Sequence, residues 1–406
     1  MQITICGGGN AAHTLAGLLS ARPEVQVNIF APLDEEARRW QKGIAAGGGI
    51  EVHFQGSLKI GQPHGVNADP AQVVPGSDLV LLALPAFAHE TILKNVLPYL
   101  SQGAWIGALP ARGGFDWCIS DLLASGTQLS NGYTVFGLQT LPWACRVEEF
   151  GRIVRVMGVK DQVDVAVNPP QQAGEVLAAL QALLGIPLLP ADNFLVLTLS
   201  NTGQIIHPGL MFALFHEWDG ELYERAPLFY KGAGPAAIDL LLQLSDEIQA
   251  LRRTLEANLP GVDFSSIRPI DEWMRRAYAS EIAEASSLQS CLVTNRSYAG
   301  LTAPMRRVGG GLVPDFTTRY LAEDIPYGLV VTRGIAELVG TATPVMDKVI
   351  TWAQARLERE YLVAGKLQGR DLQATRAPQR YGITKINELV SEGDKRDEYS
   401  EGSLGG

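Results

Sequence analysis

The segment that follows the first apolar run, Gly7-Gly8-Gly9-Asn10-Ala11-Ala12, carries small residues at the spacing G-x-G-x-x-A. In this motif the first glycine, Gly7, makes a tight turn, and the second, Gly9, lets the backbone approach a pyrophosphate. The small third residue, Ala12, lets a helix pack closely on the strand, and the N–H groups of the helix N-terminus hold the anion. Because the motif follows a predicted strand and opens a predicted helix, it predicts a dinucleotide site rather than merely a tight turn.

The residues that would distinguish NAD from NADP leave both open. An acidic residue for the ribose 2′-hydroxyl is expected about 20 residues after the motif, where the chain has Ile29 and Phe30. Asp34 is the first acidic candidate, and Arg38 and Arg39 lie close enough to suggest a 2′-phosphate. All three side chains could equally form the solvated face of a helix that begins near Asp34.

Composition excludes several classes of protein. The 406 residues carry a net charge of -10, so the chain has no basic surplus with which to neutralise nucleic-acid phosphates. No apolar run reaches the roughly 18 residues that a bilayer span requires. The four cysteines are scattered without metal-ligand spacing. We therefore expect a cytoplasmic protein with reduced thiols, no metal, no cleaved leader peptide and a small-molecule partner.

The arrangement of predicted elements divides the chain in two. Strands and helices alternate over residues 1–190, which predicts a parallel sheet with helices on both faces. Beyond Asp192 the segments 240–259, 271–282 and 344–362 have helical periodicity. Since single cores rarely exceed about 300 residues, we expect an α/β dinucleotide-binding domain over 1–190 and a helical domain over 191–406, with a frayed, charged tail from 391.

Three further segments contain candidate catalytic and binding residues: "GLQTLPWACRVEEFGR" (137–152), "IIHPGLMFALFHEWDG" (205–220) and "VPDFTTRYLAEDIPYG" (313–328). Together with "CGGGNAAHTLAGL", "LPAFAHE", "ERAPLFY", "TNRSYAGL" and "APQRYG", they make the sequence similar to the opine dehydrogenases. It most closely resembles the octopine dehydrogenase group of invertebrates, over about 380 residues. The resemblance implies an NAD-binding Rossmann domain, then an all-helical domain, with the substrates held in the cleft between them.

The resemblance also implies a reaction. Such an enzyme condenses pyruvate with the amino group of an amino acid and reduces the imine with NADH, which regenerates NAD in anaerobic glycolysis. By this resemblance His207 carries the proton and Asp324 fixes its tautomer, while Arg319 grips the pyruvate carboxylate and Thr140 also reaches pyruvate. Taken alone, His207 could be only a structural residue at a helix start. Pro326 indicates that the helix after Arg319 ends near Asp324, which lets that carboxylate turn toward His207.

The cofactor side is assigned to residues of the glycine turn and of "LPAFAHE". They are Gly7, Gly9, Asn10, Ala12, His13, Pro85 and His89. Within this set, His13 is interpreted mainly as structural, and His89 either caps a helix or faces the cofactor. His216, outside this set, is also interpreted as structural. Cys145 has no apparent His or Asn partner, and imine reduction needs no nucleophilic thiol.

The chain departs from the octopine-type pattern at three positions. Gln139 stands in place of an acidic residue, and Gly203 stands in place of an aromatic residue four positions before the histidine. An arginine substrate would need a carboxylate partner and an aromatic face, so both changes disfavour arginine. Arg112 replaces a neutral polar residue and could bind the acid group of the second substrate. These departures favour taurine, alanine, β-alanine or glycine as the amino substrate, with Trp273 either lining its pocket or packing in a helix face.

Two other functions remain open from the sequence. A Rossmann-plus-helical dehydrogenase of a hydroxy acid or sugar phosphate would use a catalytic lysine, for which Lys231 in "LFYKG" is the candidate. A non-catalytic NAD-binding protein would leave His207, Arg319 and Asp324 without a role. We expect neither a nucleic-acid nor a membrane partner. The resemblance implies a monomer, and no heptad seam requires a second chain.

Overall fold

The computed structural model describes residues 1–125 and 132–390, and the chain divides into two compact units. The first unit comprises Met1–Ala111 and Cys118–Ala191. The second begins at Asp192 and also includes the short segment Arg112–Trp117. The sequence predicted one boundary between residues 190 and 191, and it gave no sign that residues 112–117 belong with the second unit. The tail expected to fray from residue 391 lies outside the described residues.

The described residues of the first unit form strands and helices that alternate along most of the chain. Their bounds are β1 (Gln2–Cys6), α1 (Asn10–Ser20), β2 (Gln26–Phe30), α2 (Asp34–Gly47), β3 (Ile50–Phe54), β4 (Ser57–Gly61), β5 (Gly65–Asn67), β6 (Leu79–Leu82), α3 (Ala86–Val96), β7 (Trp105–Ala108), α4 (Phe115–Ser125), β8 (Thr134–Leu138), β9 (Trp143–Glu149), β10 (Ile153–Val159), β11 (Val163–Asn168), α5 (Ala173–Leu184) and β12 (Leu188–Pro190). The first three residues of α4 belong to the second unit.

The main sheet has eight strands in the order β12-β11-β8-β7-β6-β1-β2-β5. Neighbouring strands run parallel, except that β8 and β11 are antiparallel. Strand β1 lies between β2 and β6, and its register places Cys6 beside both Phe30 and Leu82. The carboxyl ends of these three strands therefore meet at one edge, where sheets of this topology bind ligands. The predicted Rossmann-type α/β fold is confirmed.

A second, four-stranded sheet has the order β4-β3-β10-β9. Helix α1 packs closely on this sheet at Gly17, where a Cβ atom would overlap the Val52 side chain. The sequence predicted β10 but not β3, β4 or β9. Four of the five residues of β4 are exposed, and four of the seven in β9 are exposed as well. These strands consequently lack the apolar run by which the buried strands were recognised.

The described residues of the second unit, 112–117 and 192–390, are mainly helical. The bounds of its elements are α6 (Phe194–Leu199), α7 (Gly203–Phe215), α8 (Pro235–Asn258), α9 (Ile270–Ala277), α10 (Leu288–Thr294), β13 (Met305–Val308), β14 (Gly311–Pro314), α11 (Arg319–Ala322), a π-helical turn (Ile325–Leu329), α12 (Val330–Val339), α13 (Pro344–Arg356), β15 (Leu362–Val363) and β16 (Lys366–Leu367). The helical domain is thus confirmed, with two short antiparallel hairpins, β13–β14 and β15–β16, that the sequence did not predict.

Helix α13 is shorter than predicted. The periodicity predicted a helix to residue 362, but α13 ends at Arg356. The side-chain oxygen of Gln354 accepts hydrogen bonds from the N–H groups of Tyr361 and Leu362, both at 2.9 Å. These hydrogen bonds hold the segment after α13 against the end of the helix. Leu362 and Val363 therefore form β15 of the β15–β16 hairpin instead of another helical turn.

Helix α7 and the π-helical turn lie against each other and set the frame of the candidate site. Pro208 lies inside α7 and offers no N–H to the carbonyl of Gln204 one turn earlier. The side-chain oxygen of Gln204, a different acceptor, accepts a 2.7 Å hydrogen bond from the Thr332 hydroxyl. A Cβ atom on Gly328 would lie 2.6 Å from Gln204 Cβ, so the absence of a side chain there allows the close approach. The residues before the π-helical turn are therefore held beside α7.

No helix in the described parts of the chain combines the length and the apolar character that a membrane crossing requires.

Candidate active site

The glycine turn has the geometry that a pyrophosphate requires. Gly7 has a φ of 127°, and a Cβ atom on it would lie 2.7 Å from the carbonyl oxygen of Ala83, so only glycine fits there. A Cβ atom on Gly9 would have no atom within 4 Å, which leaves open space in front of the turn. Gly9 caps α1 without a side-chain hydrogen bond, and the first turn of α1 contains no acidic residue. The helix N-terminus is therefore suited to bind a phosphate group.

Asn10 and His13 hold the start of α1 in place. The Asn10 side-chain oxygen accepts a 2.9 Å hydrogen bond from the N–H of Val147, and the N–H of Gly151 donates to His13 Nε2 at 2.8 Å. His13 Nδ1 in turn donates to the carbonyl of Gly9 at 2.9 Å. Burial lowers the pKa of His13 to about 4, so its ring is neutral at physiological pH. These contacts fix the backbone of the glycine turn, and direct contact of Asn10 or His13 with the cofactor remains a prediction.

The other predicted cofactor-side residues lie at the same edge of the main sheet or pack beneath it. Ala12 is fully buried in α1, and Pro85 caps α3 at the end of β6. The buried His89 forms a 3.0 Å hydrogen bond from Nε2 to the carbonyl of Leu84. A carbonyl can only accept, so this ring nitrogen carries the proton. His89 therefore fixes the turn after β6, and its direct contact with the cofactor remains a prediction.

The acidic residue nearest the glycine turn is one that the sequence analysis did not select. Glu36 lies against Gly8 so closely that a Cβ atom on that glycine would overlap its carboxylate. Burial raises the pKa of Glu36, an effect that the nearby Arg39 opposes. The Arg39 guanidinium lies 4.1 Å above the Phe150 ring, while Asp34 is exposed. The spacing rule missed Glu36 because it counts residues along the chain, whereas helix α2 brings Glu36 back to the turn.

Gln139 and Thr140 follow directly after β8 in the first unit. Gln139 is buried, and its backbone N–H donates to the carbonyl of Asp164 at 2.9 Å. Thr140 is half-buried in the bend that follows. Their predicted contacts with substrate remain predictions.

In the second unit, His207 and Asp324 form a hydrogen-bonded pair. His207 Nδ1 lies 2.7 Å from Asp324 Oδ2, although the two residues are 117 positions apart in the sequence. Helix α11 ends at Ala322, so Asp324 stands just before the π-helical turn and faces α7. Burial would raise the pKa of Asp324, yet Arg112, His207 and Arg319 together hold it below its usual range. Because the ionised carboxylate can only accept, Nδ1 of His207 carries the proton and Nε2 is left as the basic nitrogen.

Two tyrosines that the sequence analysis missed contact the His207 ring. The Tyr230 hydroxyl lies 3.0 Å from His207 Nε2, and the Tyr320 ring stacks on the imidazole with 4.1 Å between ring centroids. With Nδ1–H directed to Asp324, the Tyr230 hydroxyl donates to Nε2. Burial lowers the pKa of His207, an effect that Asp324 opposes and that Arg319 and Arg112 reinforce. The imidazole is therefore neutral at neutral pH and accepts a proton at Nε2.

Arg112 lies in the same cluster. Its Nη1 is 2.6 Å from Asp324 Oδ1, and its Nε is 3.3 Å from Glu323 Oε1. The guanidinium that was predicted to bind the acid group of a substrate is thus paired with two carboxylates of the protein. Gly203, at the first position of α7, is a close neighbour, since a Cβ atom on it would lie 3.1 Å from Arg112 Nη1. Binding of substrate by these two residues remains a prediction.

Arg319 differs from Arg112 in exposure. It opens α11 and is exposed, and its charge lies near enough to lower the pKa of both His207 and Asp324. An exposed guanidinium beside a histidine–carboxylate pair is suited to bind the carboxylate of a small substrate.

Trp273 stands at the far end of a row of aromatic rings in the second unit. It contacts Tyr278 edge-on at 5.9 Å, and Tyr278 packs on Tyr298 at 5.4 Å. Tyr298 stacks on Tyr230 at 4.0 Å, and Tyr230 reaches His207. The half-buried Trp273 is therefore connected to the candidate site by continuous packing, and whether it lines a pocket remains a prediction.

Taken together, the second unit contains a hydrogen-bonded histidine–carboxylate pair and an exposed arginine near it. No cluster of three or more His, Cys, Asp or Glu that could hold a metal ion occurs among residues 1–125 and 132–390. The glycine turn of the first unit fits a dinucleotide. These parts suit a hydride transfer coupled to acid–base chemistry on a small organic acid.

Comparison with known proteins places this chain in a family. Residues 190–357 match the family described as NAD/NADP octopine/nopaline dehydrogenase, alpha-helical domain. The chain is 38% identical to tauropine dehydrogenase from Arabella iricolor, over 96% of this chain and 99% of that protein. An octopine dehydrogenase structure with NADH and L-arginine is 36% identical, with a TM-score of 0.86 and coverage of 96% of this chain and 98% of the other. A second octopine dehydrogenase structure, with NADH and pyruvate, is 35% identical with a TM-score of 0.84 and covers 96% and 97% of the two chains.

Proposed function

The chain belongs to the opine dehydrogenase family and is an NAD-dependent oxidoreductase acting on CH–NH donors, and we propose that it joins pyruvate to a small amino acid. The candidate amino substrates are taurine, alanine, β-alanine and glycine. The hydrogen bond between His207 Nδ1 and Asp324 Oδ2 carries the proposal, because it leaves Nε2 as the single basic nitrogen of the ring. Regeneration of NAD in anaerobic glycolysis would follow from this reaction.

The residues of the chain divide the chemical work. The glycine turn, with Gly7 and Gly9, would hold the pyrophosphate of NADH, which supplies the hydride when bound. Arg319 would bind the pyruvate carboxylate through paired N–H donors. Thr140 would add a hydrogen bond to pyruvate, as the sequence analysis proposed.

His207 would both take and return a proton. An amino acid arrives as an ammonium, which cannot attack a carbonyl until it loses a proton, and the neutral Nε2 of His207 would accept that proton. The amine nitrogen then attacks the keto carbon, and the imidazolium returns its proton to the carbonyl oxygen. A second proton passes from the nitrogen to the same oxygen, which leaves as water and gives a protonated imine. Asp324 would stabilise the intervening imidazolium. Hydride addition to the carbon of this protonated imine would give the neutral secondary amine.

The region around Gly203 supports a small substrate over arginine. Gly203 offers no aromatic face, and the Arg112 guanidinium lies where a side chain on Gly203 would project. Gln139 cannot supply the negative charge that would pair with a cationic substrate. Both features favour an amine without a second positive charge. The alternative, a dehydrogenase of a hydroxy acid or a sugar phosphate, depends on Lys231 as the catalytic residue. The hydrogen bond between His207 and Asp324 supports opine synthesis over that alternative.

Amine specificity can be measured directly. We expect purified enzyme to oxidise NADH in the presence of pyruvate with taurine, alanine, β-alanine or glycine at least about tenfold more efficiently than with arginine, as kcat/KM. The assay follows absorbance of NADH with each amine at several concentrations, and reactions without amine give the background. The His207→Asn variant should reduce the amine-dependent rate to that background. Arginine turning over more efficiently than all four small amines would overturn the assignment of substrate class.

A further inference from the structure

We propose that Arg112 is a positioning residue that fixes the orientation of the Asp324 carboxylate toward His207. We also propose that Gly203, by lacking a side chain, leaves space for the Arg112 guanidinium. The inference rests on the proposed role of His207 in proton transfer and adds a residue that acts on His207 only through Asp324. It also gives Arg112 a different task from the substrate contact expected from the sequence.

The two oxygens of Asp324 have separate partners. Oδ2 accepts from His207 Nδ1 at 2.7 Å, and Oδ1 accepts from Arg112 Nη1 at 2.6 Å. The Asp324 side chain is fully buried, and those of Arg112 and Glu323 are only 8% and 6% exposed. A carboxylate held at both oxygens cannot rotate about its Cβ–Cγ bond without breaking a charge-assisted hydrogen bond. Arg112 therefore fixes the plane in which Asp324 meets the imidazole.

The backbone of Arg112 is adapted to this contact. Arg112 has a φ of 61°, in the left-handed region that residues other than glycine rarely adopt. The next residue, Gly113, donates its N–H to the carbonyl of Tyr327 in the π-helical turn at 3.0 Å. Such a conformation costs free energy and persists where the surrounding contacts require it. Here the stabilising contact is made by the π-helical turn that directly follows Asp324.

Gly203 is matched to the guanidinium of Arg112. A Cβ atom on Gly203 would lie 3.1 Å from Arg112 Nη1 and 3.2 Å from Asn201 Oδ1, which is tighter than nine in ten real Cβ contacts. Asn201 Oδ1 itself accepts from Arg112 Nη1 at 3.4 Å and from the N–H of Gly203 at 3.2 Å. A side chain at position 203 would thus require the guanidinium or the amide that supports it to shift by a few tenths of an ångström. Glycine at 203 and arginine at 112 form one arrangement.

Arg112 also sets the charge around His207. The titratable and charged groups that face His207 are Asp324 and Glu323 before the π-helical turn, Arg319 and Tyr320 on α11, Tyr230 after α7, and Arg112. Arg112 offsets part of the negative charge of Asp324 and thereby lowers the pKa of His207. Removing the guanidinium should raise the pKa of His207, because the imidazolium would then meet a carboxylate with no competing cation.

The test compares Arg112→Met, Arg112→Lys and Gly203→Ala by histidine NMR titration, with the His207 signal assigned from a His207→Asn sample. We expect Arg112→Met to raise the pKa of His207 by about one unit, and Arg112→Lys to restore most of the original value. Gly203→Ala should shift it in the same direction by less, and should add little in the Arg112→Met background because both changes disturb one contact. Arg333→Met, which breaks the similar ion pair with Asp347 at 2.6 Å, is the matched control and should leave the His207 titration unchanged.

Kinetics separate this inference from the proposed function. The limb of the pH–rate profile governed by His207 should move to higher pH by the same amount as the NMR pKa. An unchanged His207 pKa in folded Arg112→Met and Gly203→Ala proteins would overturn the inference, as would a rise confined to the KM of the amine. If Arg112→Met does not fold, Gly203→Ala decides alone. Because the NMR measurement needs no turnover, a shifted pKa without opine synthesis would refute only the proposed function.

Discussion

Replacing Asp324 with asparagine should lower kcat about a thousandfold while the dissociation constant for NADH stays within about twofold. Both Asp324 oxygens accept from donors, Arg112 Nη1 and His207 Nδ1–H. Asparagine has one acceptor oxygen and one NH2 group. Arginine can only donate, so the amide oxygen would face Arg112 and the NH2 would face Nδ1. His207 would then carry its proton on Nε2, where the neutral ring could no longer accept one.

Stopped-flow or steady-state assays with saturating pyruvate and amine give kcat, and quenching or enhancement of NADH fluorescence gives the cofactor affinity. Asp347→Asn is a matched control, since it alters a carboxylate paired with Arg333 in the same unit. It should keep kcat within about twofold of the wild type, as expected for a change outside the site. A fully active Asp324→Asn enzyme would remove the carboxylate from the mechanism.

Replacing Arg319 with alanine should raise the KM of pyruvate about a hundredfold and leave the KM of the amine within about threefold. Arg319 is exposed and close to His207, so it can pair with a substrate carboxylate without first breaking a buried ion pair. Loss of a charge-assisted, two-point contact should therefore weaken binding of the keto acid specifically. Arg319→Lys should recover only part of the loss, because an ammonium cannot form both parallel hydrogen bonds.

The measurement is a pair of saturation curves, one for each substrate, with the other substrate held at saturation. Arg306→Ala, an exposed arginine on β13, serves as the control for loss of one positive charge. If the amine KM rose and the pyruvate KM did not, Arg319 would instead bind the acid group of the amino substrate.

The parts of this account that were predictable from sequence are those encoded locally. The glycine turn can be predicted from Gly7 and Gly9, because the tight turn and the close approach of a pyrophosphate to the backbone require glycines at a fixed spacing. Helix α8 follows from its periodicity, and Pro326 predicts a chain break near Asp324. The roles of His207 and Asp324 came only from the family resemblance, since no periodicity links residues 117 positions apart.

The parts that were missed depend on tertiary contacts. Arg112 meets carboxylates more than 200 positions later, and its left-handed backbone leaves no mark in the local sequence. Tyr230 lies in the aromatic segment "LFYKG", but only the fold brings its hydroxyl to Nε2 of His207. Glu36 approaches Gly8 because α2 turns back toward α1, which a count of residues along the chain cannot reveal.

The most direct test of the account is the fate of the hydride. Enzyme supplied with pyruvate, a small amino acid and NADH dideuterated at C4 should release a secondary amine. By mass spectrometry and NMR, this product should contain one deuterium on the carbon that had been the keto carbon of pyruvate, bonded to the nitrogen of the amino acid. Deuterated lactate as the main product, formed at the same rate without the amine, would contradict imine reduction and identify the enzyme as a hydroxy-acid dehydrogenase.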